Sequence, residues 1–136
     1  MSAGVSVIIP AYNAEAFIGD AIESVCRQSF GAEEILVVDD GSRDGTAGRA
    51  GSYPRVRLIR QETAGVSAAR NRGIREASCP LVAFLDADDA WREDKLSKQV
   101  ETWAPGRFVF SDRTATDAAL KPLEVVTTGF SGPLLE

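Results

Sequence analysis

Apolar positions along the chain follow two alternating periods. Residues 5–10 are a short run rich in β-branched side chains, closed by Pro10, which reads as a buried strand. Phe17, Ile18, Ala21, Ile22, Val25 and Cys26 then recur at helical spacing as one stripe, with Asn13 placed to cap that helix and Glu15 in its first turn. A second strand over 34–38 runs straight into Asp39-Asp40-Gly41-Ser42. Ser42 or Asp44 can start a short helix over 46–50, weakened by Gly48 and Gly51. Residues 55–60 alternate Val56 and Leu58 with charged side chains, a strand with one wet face. Beyond Gly65, residues 66–77 fit a helix, and 80–85 a fourth strand that ends at Asp86-Ala87-Asp88-Asp89. Residues 91–103 have a helical pattern, 107–111 read as a fifth strand and 123–127 as an edge strand. Strands alternating with helices predict an α/β fold, a mostly parallel sheet with helices on both faces. With no repeat and no break in composition, the expectation is a single domain over 1–136.

Composition narrows the chemistry. Of 136 residues, 44% are hydrophobic and 26% charged, enough to build a globular core, so disorder is excluded. No apolar stretch is long enough to cross a bilayer, and the opening residues lack the pattern of a secretory leader, so a cytoplasmic protein is expected. A net charge of −5 argues against nucleic-acid binding through a basic surface. Cys26 and Cys79 read as small buried hydrophobes rather than a disulfide or a metal pair. The absence of histidine excludes Ser-His and Cys-His mechanisms and His-ligated metals, leaving carboxylates for acid–base and metal chemistry.

Polar residues collect where strands end. Tyr12 and Asn13 follow the first strand, Asp39 and Asp40 close the second, and Asp86, Asp88 and Asp89 follow the fourth. In an open parallel sheet all those ends share one edge, where ligands bind at the reversal of strand order. Asp39-Asp40-Gly41-Ser42 alone is equally well a plain turn. The second acidic segment exceeds what a helix start needs, and three carboxylates within four positions repel one another unless a cation lies between them. Oxygen ligands without His or Cys favour Mg²⁺ or Mn²⁺, which commonly bind through one or two carboxylates plus substrate phosphates, so a diphosphate ligand is expected.

Four segments carry a resemblance. Val5-Ser6-Val7-Ile8-Ile9-Pro10-Ala11-Tyr12-Asn13, Val38-Asp39-Asp40-Gly41-Ser42, Gly65-Val66-Ser67-Ala68-Ala69-Arg70-Asn71-Arg72-Gly73 and Phe84-Leu85-Asp86-Ala87-Asp88-Asp89 resemble, in order, the family 2 glycosyltransferases with a GT-A fold. The match covers 5–111 well, whereas 112–136, with Phe130-Ser131-Gly132, is only loosely similar. The resemblance implies an inverting, metal-dependent transfer of sugar from a nucleoside-diphosphate donor, typically linked to UDP, to an acceptor hydroxyl on a glycan, lipid or small molecule. It implies that Pro10, Ala11 and Tyr12 line the base pocket, that Asp40 accepts a hydrogen bond from the base, and that Asp39 supports that loop. Asp86-Ala87-Asp88 matches the family's Asp-x-Asp signature, with Asp88 as metal ligand and Asp86 at the ribose, sugar or metal; Arg70 lies near the nucleotide.

The family's general base and acceptor-binding elements would follow Glu136, so no residue here carries over as the base. Asp112 and Asp117 read as turn or cap residues. An inactive or truncated sugar-nucleotide-binding fragment is the nearer alternative. A phosphoacceptor receiver-like signalling domain is the other, disfavoured because its acidic pair would follow the first strand and a lysine would end a late one; here Lys95, Lys98 and Lys121 are the only lysines. A dinucleotide-binding oxidoreductase is disfavoured by the lack of Gly-x-Gly-x-x-Gly after the first strand. Peripheral membrane association and self-association stay open.

Overall fold

The computed structural model of the chain describes residues 4–109, 111, 113–117, 119–120 and 122–126. These fall into two compact units, Met1–Leu96 and Ser97–Glu136, although the sequence shows no break in composition there. Among the described residues no helix is long and apolar enough to cross a membrane.

The first unit is a four-stranded sheet in the order β3-β2-β1-β4. Its strands are β1 (Val5–Ala11), β2 (Glu34–Asp39), β3 (Val56–Arg60) and β4 (Leu81–Phe84). β2 and β4 flank β1, β3 pairs with β2, and every pairing is parallel, so all four strands end at one edge. Strand order reverses between β1 and β4, as in other doubly wound folds. β1 is buried throughout and β2 almost throughout, which is why both read as continuous apolar runs rather than alternations.

Helices α1 (Ile18–Cys26), α2 (Thr46–Gly51) and α3 (Val66–Glu76) connect the strands. Ile8, Leu36, Val38 and Ile59 form one core cluster with Ala69 of α3. Gly73 brings that helix so close to β1 that a Cβ there would collide with Ile8 Cγ2. Val37 and Leu58, paired in register, lie one residue out of phase with Val38 and Ile59 and face the other way. On that side a Cβ on Gly51 of α2 would sit 3.6 Å from Leu58 Cδ2, so helices cover both faces, as expected.

Three local expectations are corrected. Asn13 does not cap α1: the helix starts at Ile18 after Phe17, which makes no side-chain cap bond, and Asn13 and Glu15 bond to the loop after β2 instead. Cys26 is exposed rather than buried, because it ends α1 beyond its apolar stripe, and Cys79 is half-buried with its thiol 3.3 Å from Glu33 Oε2; both are free. The fourth helix is shorter than its pattern, α4 (Lys95–Thr102).

In the second unit the described part of 107–111 is not a strand. The hairpin lies further on, β5 (Arg113–Thr116) paired antiparallel with β6 (Pro122–Val126), the latter near the expected edge strand. Asp117 accepts the Ala119 amide at 2.9 Å, a turn role as read. Phe110, Asp112, Thr127 and 130–132 lie outside the described residues.

Candidate functional site

A cavity of about 330 Å³ opens at the carboxyl edge of the sheet, lined by Pro10, Ala11, Tyr12, Asp40, Thr63, Gly65, Val66 and Ala69. It lies where the end of β1, the loop after β2 and the start of α3 meet. Tyr12, one of the residues that line it, is 52% exposed.

Asp40 is the opposite case, 4% exposed. Its amide donates to Ala11 O at 2.9 Å, which continues the β1–β2 ladder past the strand ends. Its Oδ1 accepts from Gln61 Nε2 (2.8 Å) and the Ala64 amide (2.9 Å), and its Oδ2 from the Gly65 amide (2.9 Å). Burial opposes the charge, but these three donors outweigh it and hold the carboxyl below the usual aspartate range. The carboxylate therefore stays ionised at neutral pH and shapes the loop that leads into α3. Gly41, at φ 80°, and Gly65, at φ 101°, make the two turns beside it in a backbone region that side chains disfavour. Gln61 and Ala64 were not singled out in the sequence, and Gly65 entered only as the start of a motif, because only folding carries the three to Asp40.

Asp39 is fully buried beneath this loop. Arg60 Nε donates to its Oδ2 at 3.3 Å, its carbonyl accepts the Gln61 amide at 3.0 Å, and among the described residues Oδ1 has no partner. It lies outside the cavity lining.

The loops after β1 and β2 are laced together. The amides of Asn13, Ala14 and Glu15 donate to Ser42 Oγ (2.9 Å), Thr46 Oγ1 (2.8 Å) and Asp44 Oδ2 (3.3 Å). In return the Arg43 and Gly45 amides donate to Asn13 Oδ1 (3.0 Å) and Glu15 Oε2 (3.2 Å).

The acidic segment after β4 lies on the far side of β1 from Asp40. Leu85 donates to Ile8 O at 3.0 Å, and the Asp89 amide closes a turn onto Asp86 O at 3.0 Å. Behind it, buried Gln28 holds the segment leading to α4, donating to Arg92 O (2.6 Å) and accepting the Leu96 amide (3.0 Å). Arg70 Nη2 lies 2.8 Å from Asp86 Oδ1, so the positive group beside this aspartate is a guanidinium. One helix thus serves both regions, since α3 gives Val66 and Ala69 to the cavity and Arg70 to Asp86. Asp86 and Asp88 are exposed, and Ala87 between them is buried. Among the described residues no three His, Cys, Asp or Glu side chains converge as a metal cage. An all-oxygen donor set of one or two accessible carboxylates fits a hard divalent ion whose coordination is completed by phosphates.

A family model described as "Glycosyl transferase family 2" matches residues 6–125. The chain belongs to glycosyltransferase family 2. Among relatives, it is 41% identical over 109 residues to UDP-Glc:alpha-D-GlcNAc-diphosphoundecaprenol beta-1,3-glucosyltransferase WfgD of Escherichia coli, covering 78% of this chain and 43% of that protein. Two neighbours of known structure share the fold. The mannosyltransferase PcManGT of Pyrobaculum calidifontis, in complex with GDP-Man and Mn²⁺, matches at TM-score 0.71 and 29% identity over 79% of this chain and 34% of that one. TarS of S. aureus, in complex with UDP, matches at TM-score 0.67 and 26% identity over 83% and 41%. The chain spans less than half the length of the curated relatives it matches. The four-stranded parallel sheet agrees with the GT-A fold expected for family 2.

Proposed function

We propose that this chain carries the donor-binding portion of an inverting, metal-dependent glycosyltransferase that takes a UDP-linked sugar. The observation that supports it is the cavity between Tyr12 and Asp40, with α3 running from its wall to Asp86 beside the acidic segment. In this reading Tyr12 stacks on the base. Asp40, held ionised and with capacity left on Oδ2, accepts a base N–H. Pro10 and Ala11 form the apolar floor, and Asp39 supports the loop from below. Asp86 and Asp88 hold Mn²⁺ or Mg²⁺, with Asp86 also within reach of the ribose, and Arg70 turns towards the diphosphate.

Departure of a nucleoside diphosphate builds negative charge, and the cation, when bound, stabilises that charge. Arg70 adds a donor on the same side. The acceptor hydroxyl, on a glycan, a lipid or a small molecule, gives its proton to a carboxylate base, and none of the residues at this site is assigned that role. Single displacement from the face opposite the diphosphate inverts the anomeric centre.

The test is the melting temperature with UDP and Mn²⁺, with GDP as the competing nucleotide. UDP with Mn²⁺ is expected to raise it more than GDP does, and chelation or Asp88→Ala to remove the gain. A chain whose melting is indifferent to nucleotide and metal at saturation overturns the reading. Sugar transfer by these 136 residues alone is expected to be weak.

A further inference from the structure

Tyr12 and Asp40 follow the ends of different strands, β1 and β2, yet a base held between them needs both at a fixed separation. Besides the ladder bond from the Asp40 amide to Ala11 O, the residue next to Tyr12 ties the two walls. Asn13 follows Tyr12 directly and has φ 47°, in the left-handed region that asparagine tolerates and most side chains do not. Its amide donates to Ser42 Oγ and its Oδ1 accepts the Arg43 amide, two and three residues beyond Asp40. The chain after β1 therefore turns sharply at Asn13, and both polar ends of this residue grip the loop that carries Asp40.

We propose that Asn13 is a positioning residue for nucleotide binding. It aims the Tyr12 ring into the cavity and ties that ring to the Asp40 loop without touching the ligand itself. The Glu15 and Thr46 bonds further along the lacing fix the starts of α1 and α2, but neither residue adjoins a cavity-lining side chain. Replacement of Asn13 should thus affect affinity more than folding, because the side chain is exposed and its own hydrogen bond borders solvent. The inference rests on the donor-binding reading, so two measurements separate them.

Hydrogen exchange on the free protein needs no nucleotide. Asn13→Ala is expected to speed exchange at the Arg43 amide and through 42–46, and Asn13→Asp, which keeps the acceptor and tolerates the same φ, to restore protection. Unchanged exchange in the alanine variant overturns the proposal. Titration with UDP and Mn²⁺ then reads the consequence. Asn13→Asp should bind within about threefold of the parent, Asn13→Gly more weakly, because it keeps the turn and loses the Arg43 bond, and Asn13→Ala about tenfold more weakly. Equal affinity of folded alanine and parent proteins overturns the positioning role, as does failure of aspartate to rescue. Should the alanine variant not fold, the ordering of parent, aspartate and glycine decides. A parent that ignores UDP defeats the donor-binding reading, and with it the affinity role of Asn13, while exchange still shows whether Asn13 couples the loops.

Discussion

Arg70 Nη2 and Asp86 Oδ1 lie 2.8 Å apart and join α3 to the segment that leaves β4. Both side chains are partly exposed, at 38% and 50%, so the pair contributes little to stability, of the order of 0.2–1 kcal/mol. A pair that weak can be exchanged for another at small cost, the guanidinium passing to a phosphate and the carboxylate to a cation. Arg70→Met is therefore expected to change the urea stability by less than about 1 kcal/mol. The same change should weaken UDP–Mn²⁺ binding about tenfold or more, the loss of one charge-assisted hydrogen bond. With the competing guanidinium gone, Mn²⁺ alone should bind more tightly in calorimetry. Weaker Mn²⁺ binding by the variant would count against exchange.

Asp40 is tied to protein donors on both oxygens, so it serves the fold, and under the proposed donor-binding reading the ligand as well. In Asp40→Asn an amide NH₂ must face either the Gly65 amide or the Gln61–Ala64 pair, donor against donor. A stability loss of about 1–3 kcal/mol is expected, together with loss of UDP binding. An asparagine variant with parental stability would show that the three bonds do not shape this loop.

Gly73 sets the distance between α3 and β1. The methyl group of Gly73→Ala meets Ile8, a fully buried residue in the middle of the sheet, so the helix must shift. Such overpacking costs about 1–3 kcal/mol, to be read as a lowered denaturation midpoint with unchanged slope. Because Ala69 and Arg70 ride on the same helix, UDP affinity should fall as well. A variant that is more stable, as alanine would be in an open helix, would refute the close approach.

Acid should weaken the fold through carboxylates held below their ordinary range, Glu34 and Asp40 among them. Burial opposes the charge of Glu34, but the Ser6 hydroxyl, the Ser78 amide and hydroxyl, and Arg57 overcome it, so its pKa falls below 4.5. Asp40 is likewise held below 3.8. A lowered folded-state pKa gives stability that is complete above the unfolded value and is lost as pH falls through the folded one. Stability should therefore hold from neutrality to about pH 4.5 and decline below it. Glu34→Gln should be less stable than the parent at pH 7, with the gap closing in acid, below the ordinary glutamate range, as the parent's own carboxyl takes up a proton. A gap that is constant across that range would remove Glu34 as a contributor.

Most of the sheet was legible in the linear pattern because its causes are local. β1 and β2 are buried on both sides, so their composition announces them, and the acidic stops after β2 and β4 had to share an edge once the strands were parallel. The hairpin of β5 and β6 was half missed. The pattern of 107–111 suggested a strand, whereas 113–116 are mostly polar in sequence and owe their strand state to pairing with β6.

At the site, residue types alone determined that acidic side chains collect there, that Tyr12, Asp40, Asp86 and Asp88 follow strand ends, and that the chain resembles family 2. Tertiary structure decided what each one touches. Asn13 became a bridge and not a helix cap, Asp40 gathered donors from 21 to 25 positions away, and Arg70 paired with Asp86. The physical reason is range: propensity and periodicity act over a few residues, whereas hydrogen bonds and charge pairs act across whatever distance the fold closes.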